Sequence, residues 1–134
     1  MGKSAVEVVR SVYAAWNRED LPGPEGLLDA DIEYVNPPDA VEPGTRRGLE
    51  AFARAVAKTL EGWETWQMEL EHAESEGDDV AVVVSYRARG RASGLEVVGR
   101  ESALWTVRGG RVARYAWFHG EDDARRAMRE RAGP

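Results

Sequence analysis

A chain of 134 residues with 43% hydrophobic side chains has the length of one domain, enough for one buried core. Its formal net charge of −6 opposes nucleic acid or an anionic membrane as main partner, and no apolar run reaches the roughly 18 residues of a membrane span. Without cysteine there is no disulfide or thiolate, and the two histidines lack metal-ligand spacing, so neither a metal nor another cofactor is expected.

The N-terminal stretch breaks its apolar run with Glu7 and lacks a signal-peptide core, which makes a cytoplasmic location the expectation. Ser4 and Glu7 form a capping-box signature. Ala5, Val8, Val9, Val12 and Trp16 recur at helical spacing, so residues 5–18 should form an amphipathic helix. Pro22-Gly23-Pro24 breaks it, and a short helix is expected near Pro24 to Asp29. Ile32 to Asn36 reads as a short strand stopped by Pro37-Pro38, and Asp39 to Arg47 as a loop. Leu49, Phe52, Val56 and Leu60 mark a second long helix, with Gly62 in the C-terminal cap position.

From Trp63 the period changes to two. Trp66, Met68, Leu70 and His72 share one face of a strand, and Gly77-Asp78-Asp79 makes the turn. Val80, Val82, Val84 and Tyr86 share a face of the next strand, with Ala81, Val83 and Ser85 opposite. Both faces are apolar enough to require cover, from helices on one side and a second subunit on the other. The basic run Arg87 to Arg91 fits the wet face of a strand entering a turn. Leu95 to Val107 and Val112 to His119 complete the sheet, and a last helix starts near Glu121-Asp122-Asp123. Helices followed by strands make one α+β domain, helices packed on one side of an antiparallel sheet.

Four segments carry a resemblance: Ala15 to Leu21, Tyr34-Val35-Asn36-Pro37, Arg47 to Phe52, and Trp105 to Val112. In this order they resemble the NTF2-like cone fold and, within it, the SnoaL-like proteins, over nearly the whole chain. The resemblance implies a strongly curved sheet, a pocket inside the cone and a homodimer through the outer sheet face. It does not carry over the relatives' acids. The steroid-isomerase positions fall on Val12 (beside Tyr13), Asn36 and Ala103, and asparagine cannot shuttle a proton as a carboxylate does. Tyr34-Val35-Asn36 is similar to the water-holding Tyr-x-Asn of limonene epoxide hydrolases, but their Asp-Arg-Asp set falls on Val84, Tyr86 and Trp117. Where polyketide cyclases carry an aspartate near the last strand, Trp117 and His119 stand.

The unusual residue is Glu101, one carboxylate in the alternating row Val97, Gly99, Glu101, Ala103, Trp105, Val107. Buried, it would be an acid or base working near neutral pH. On an outer face it would be solvated or paired with an arginine. Hairpin register decides. A three-residue loop Arg108-Gly109-Gly110 sets Glu101 beside Trp117 and Ala103 beside Tyr115. A two-residue Gly109-Gly110 turn pairs Glu101 with Phe118 and sends Tyr115 and Trp117 to the other face. The three-residue loop matches the family and is the expectation. Glu101, His119 and Asn36 are then the catalytic candidates, although His119 also reads as a rim residue and Asn36 as a turn former before Pro37. Trp16, Tyr34, Tyr86, Trp105, Tyr115 and Trp117 are the ligand-binding candidates, with core packing the simpler account of several.

The expected function is binding of a small, mostly apolar or ring-containing molecule. Any catalysis would be water addition or proton transfer of the hydrolase, isomerase or cyclase type. The alternative is a non-catalytic ligand-binding or accessory dimerisation domain.

Overall fold

The structure is a computed structural model that describes residues 3–133. Helix α1 (Ala5–Asn17) starts on the expected box: the Glu7 N–H donates to Ser4 Oγ at 3.2 Å, and the Ser4 N–H donates to Glu7 Oε1 at 3.2 Å. Two orphan donors are thereby satisfied at its start. No short helix follows. Gly26 sits at φ +85°, the Leu27 N–H turns back to Pro24 O, and strand β1 (Leu28–Asn36) begins at once. The expected loop contains a strand as well, β2 (Gly44–Arg47), paired antiparallel with β1. Helix α2 (Leu49–Glu61) ends at Gly62, as the capping signal indicates.

Strands β3 (Trp63–Glu76), β4 (Asp79–Gly90), β5 (Glu96–Arg108) and β6 (Arg111–Phe118) form an antiparallel meander. The sheet order is β2-β1-β6-β5-β4-β3, and β1 joins β6 in parallel, so the sheet is mixed rather than wholly antiparallel. Register shifts interrupt the pairings β1/β6, β3/β4 and β5/β6, and bulges of this kind bend a sheet. The shift between Leu70 and His72 turns His72 out of the row begun by Trp66 and Met68; Ala73 takes its place against the core, and His72 is exposed.

The inner face carries the main core. Helix α1 lays Val8, Val9, Val12, Tyr13 and Trp16 on it, and α2 adds Phe52 and Val56. From the sheet, Val80, Val82 and Val84 meet Ala103 and Trp105, all nearly inaccessible to solvent. At roughly 25 cal/mol per Å² of apolar surface removed from water, this layer is the dominant favourable contribution to folding. Asn17, at the end of α1, fixes the helix to the sheet at two points: its Nδ2 donates to Met68 O at 2.7 Å and its Oδ1 accepts from the Met68 N–H at 2.8 Å.

The hairpin follows neither expected register. Arg108 pairs with Arg111, so Gly109 and Gly110 form a two-residue turn, both at positive φ (+59° and +79°), as glycine permits without Cβ strain. A bulge then inserts Ala113 into β6, between the pairs Val107–Val112 and Thr106–Arg114. The pairs beyond it are Trp105–Tyr115 and Ala103–Trp117, so the expected pairs Glu101–Trp117 and Ala103–Tyr115 are wrong. The face assignment survives because the extra residue restores the parity that the short turn inverts.

Helix α3 (Asp123–Ala132) covers part of the outer face. Its Ala124 and Met128 pack on Ala81 and Leu104, so the helix covers part of the face of Ala81 for which a second subunit was expected. Buried Ser102 anchors the helix start, accepting from the Ala124 N–H at 3.1 Å and donating to Gly120 O. The ion pair Arg131–Asp79 at 3.0 Å holds its end. Of the basic run, Arg87 pairs with Glu96 at 3.1 Å, while Arg89 and Arg91 bond backbone carbonyls. No helix among the described residues is long and apolar enough to cross a membrane.

Candidate functional site

Between the far end of α2 and the inner sheet face lies a cavity of about 160 Å³. Helix α2 contributes Val56, Thr59 and Leu60, the i, i+3, i+4 set that one helical face presents. Trp16 of α1 and Tyr34 of β1 close two sides. Trp66 and Met68 of β3, Glu101 of β5, and Tyr115 and Trp117 of β6 complete the wall. The site thus unites Glu101 with four of the expected aromatics: Trp16, Tyr34, Tyr115 and Trp117.

Glu101 faces inward opposite Val84, between strands and away from bulk water. Burial pushes its carboxyl from the ordinary 4.5 up to about 7, with no cation or hydrogen-bond donor to offset the lost hydration. It takes part in no ion pair among the described residues, although many arginines of the outer surface do. Three tyrosines feel its charge. Tyr13, Tyr34 and Tyr115 are all raised, first by burial and further by the nearby carboxylate. They therefore stay protonated near neutral pH and can donate hydrogen bonds.

The mouth is built around Trp117. Its Nε1 donates to Asn36 Oδ1 at 2.6 Å, and Asn36 Nδ2 donates in turn to Glu42 O at 2.7 Å. His119 packs edge-on against the indole with ring centroids 4.9 Å apart, and its Nε2 lies 3.6 Å from Asp39 Oδ1. Asn36 and His119 line an outer cleft of about 730 Å³ that shares Tyr34, Thr59 and Trp117 with the cavity. These two candidates therefore stand at the rim, while Glu101 stands inside. Arg46, Arg54 and Lys58 also line the cleft, each already paired with Glu42 or Glu50.

Two expected ligand residues lie elsewhere. Trp105 is fully buried; its Nε1 donates to the Tyr13 hydroxyl at 3.1 Å, and its ring packs 4.3 Å from that of Tyr115. It is a core residue behind the cavity wall. Tyr86 stacks on Trp66, ring centroids 5.9 Å apart and planes within 4°, and lies across Gly99, outside the cavity. Trp66, Met68, Val56, Thr59 and Leu60 were absent from the expected site. The alternation that puts Trp66 and Met68 on the inner face carries their signal, and so does the helical spacing of the α2 set.

A larger depression, about 900 Å³, opens on the outer sheet face beside α3, lined by polar residues such as Gln67, Glu69, Ser85 and Arg87. Its Arg100 is already paired with Glu71 at 2.9 Å and Glu121 at 3.5 Å, so it holds no partnerless buried group comparable to Glu101. Among the described residues no group of three or more acids and histidines could hold a metal ion.

Three helices on a bent mixed sheet with a cavity between them define the NTF2-like fold. Solved structures of this fold include an NTF2-like protein from Burkholderia thailandensis, 24% identical, covering 94% of this chain and 98% of its own, TM-score 0.75. TerC co-crystallized with polyporic acid is 19% identical, covering 94% and 95%, TM-score 0.75. A protein of ketosteroid isomerase-like fold from Catenulispora acidiphila, in complex with trimethylamine, is 22% identical, covering 88% of both chains, TM-score 0.71. The chain belongs to the SnoaL-like domain family, which it matches over residues 9–115. Among curated relatives, the uncharacterized protein Rv0034 of Mycobacterium tuberculosis is 29% identical over 120 residues, 89% of this chain and 91% of its own.

Proposed function

We propose that this SnoaL-like protein binds a small, mostly apolar, single-ring-sized molecule in the inner cavity, with Glu101 as the group that gives or takes a proton. The observation that carries this reading is a partnerless carboxyl in an aromatic chamber, held at about 7 by burial. A group titrating near the working pH exists in both forms, which general acid–base catalysis requires. The volume sets the size: a dry cavity of roughly 150 Å³ holds a benzene ring. Neighbours of this fold crystallised with polyporic acid and with trimethylamine support small-molecule binding. In this reading Tyr34 and Tyr115 orient the ligand by donating hydrogen bonds, and Asn36 and His119 act at the rim by holding Trp117. Proton transfer or water addition follows for a ligand whose reacting atom faces Glu101.

A non-catalytic binder is the second reading, favoured by the presence of only one proton carrier in the cavity. Titration with toluene tests the shared premise: saturable binding that Trp66→Ala weakens at least tenfold is expected. Absence of saturable binding would remove the cavity as a ligand site.

A homodimer through the outer face that α3 leaves open accompanies this proposal. Sedimentation velocity at micromolar concentration should show a species of twice the chain mass, and a monomer there would reject it.

A further inference from the structure

The ten residues lining the inner cavity include one charge, a negative one, and five aromatic side chains. None of the chain's 18 lysines and arginines lines it. The basic residues of the adjoining cleft are neutralised by Glu42 and Glu50. An anionic ligand would therefore meet Glu101 with no counter-ion. A cation would meet one carboxylate and the π-systems of the wall. The rings adjoin one another, Trp16 to Tyr115 at 5.7 Å and Tyr115 to Tyr34 at 5.5 Å between centroids. A guest in 160 Å³ between them lies within the roughly 6 Å at which a ring attracts a cation. Methylated ammonium suits the site in its second respect too, since its surface is mostly C–H. The other polar groups in the wall are the hydroxyls of Thr59 and the tyrosines and the indole N–H groups, those of Trp16 and Trp117 already donating to Pro22 O and Asn36 Oδ1.

Resting on the reading of this cavity as the ligand site, we infer that its ligand is a small alkylammonium ion, a tertiary or quaternary methylated amine, with Glu101 as its counter-ion and the surrounding aromatics as its cage. Glu101 contributes the full charge, and the rings supply the preference for a diffuse cation over a strongly hydrated one. The cation in turn stabilises the ionised carboxylate, so binding and deprotonation are coupled. The titratable groups that feel the charge of Glu101 are Tyr13 of α1, Tyr34 of β1 and Tyr115 of β6; His119, one residue past the pair Ser102–Phe118, packs on Trp117 at the rim. Helix α2 and strand β3 present Val56, Thr59, Leu60, Trp66 and Met68, none of them titratable. No lysine or arginine lines the cavity around the carboxylate.

The test compares tetramethylammonium chloride with tert-butanol, an uncharged molecule of similar size, and with toluene, all by calorimetric titration. Tetramethylammonium should bind at least tenfold more tightly than tert-butanol at pH 8, and about thirtyfold more weakly at pH 5.5 than at pH 8. At pH 6 its binding should release a proton, seen as a heat that changes with the ionisation enthalpy of the buffer. Glu101→Gln should lose the tetramethylammonium affinity at least tenfold while its urea unfolding transition stays cooperative, which separates lost charge from lost fold. Equal affinity for tetramethylammonium and tert-butanol, or no loss in Glu101→Gln, would overturn the inference. Toluene separates the two levels. If toluene binds and the cation does not, the charge preference is wrong and the cavity stands; if neither binds, the cavity reading itself is wrong.

Discussion

Trp105→Ala is expected to lower the unfolding free energy by about 3–5 kcal/mol, the range for truncating a large buried aromatic. The indole is wholly inaccessible and sits among Tyr13, Trp16 and Tyr115 at centroid distances of 5.4, 5.7 and 4.3 Å. Its removal leaves a void that those rings, themselves held by backbone and neighbours, cannot close. It also leaves the Tyr13 hydroxyl without the donor it now accepts from at 3.1 Å. Urea unfolding measures the loss, and a value below about 1 kcal/mol would mean that the layer collapses around the gap. Trp105→Phe separates core from site: stability should fall while toluene affinity holds. Trp66→Ala should do the reverse, because Trp66 is half-buried and lines the cavity.

The second large effect concerns pH. Glu101 has its carboxyl raised in the folded protein from 4.5 to about 7, so the folded state binds its proton more tightly than the unfolded state. The contribution is therefore fully present below pH 4.5, declines as pH rises and is lost once pH passes the folded value near 7. The gap between those values corresponds to roughly 3 kcal/mol. Wild type should thus lose about that much stability, relative to Glu101→Gln, between pH 4.5 and pH 8.5. Urea midpoints of both proteins across this range give the difference, which cancels every other titrating group. A wild type that gains on the variant as pH rises would require a cation beside Glu101, contrary to the structure.

Much of the fold was legible because local chemistry agreed with global packing. Ser4 and Glu7 made the first helix start visible, and the change of period at Trp63 announced the meander. Three features escaped for separate physical reasons. The bulge at Ala113 carries no glycine or proline, so nothing in the residue types marks where β6 gains its extra residue. The outer cover by α3 rests on Ala124 and Met128, an apolar stripe too thin to stand out in a helix rich in arginine. Cover for the face of Ala81 and Val83 was consequently expected from a second subunit. Within the site, alternation correctly gave Glu101, Trp105, Tyr115 and Trp117 one face, but depth along that face decides between core and cavity. Helix α1 ends over Trp105 and leaves Glu101 uncovered, and no feature of β5 itself encodes where a helix far away in sequence will stop.

The paired turn and bulge of the last hairpin behave like a frameshift and its suppressor. Were the bulge absent with every residue kept, the two-residue turn would pair Thr106 with Ala113, turning Arg114, Ala116 and Phe118 inward and the cavity's Tyr115 and Trp117 outward. Deleting Ala113 would instead leave each side chain on its own side, because Arg114 would then follow Val112 and keep Thr106 as its partner. The hairpin is therefore open to loss of its bulge residue, but not to an added residue between Arg114 and Phe118, which would invert every face beyond it. The chemistry of the chamber hangs on a parity set some distance outside it.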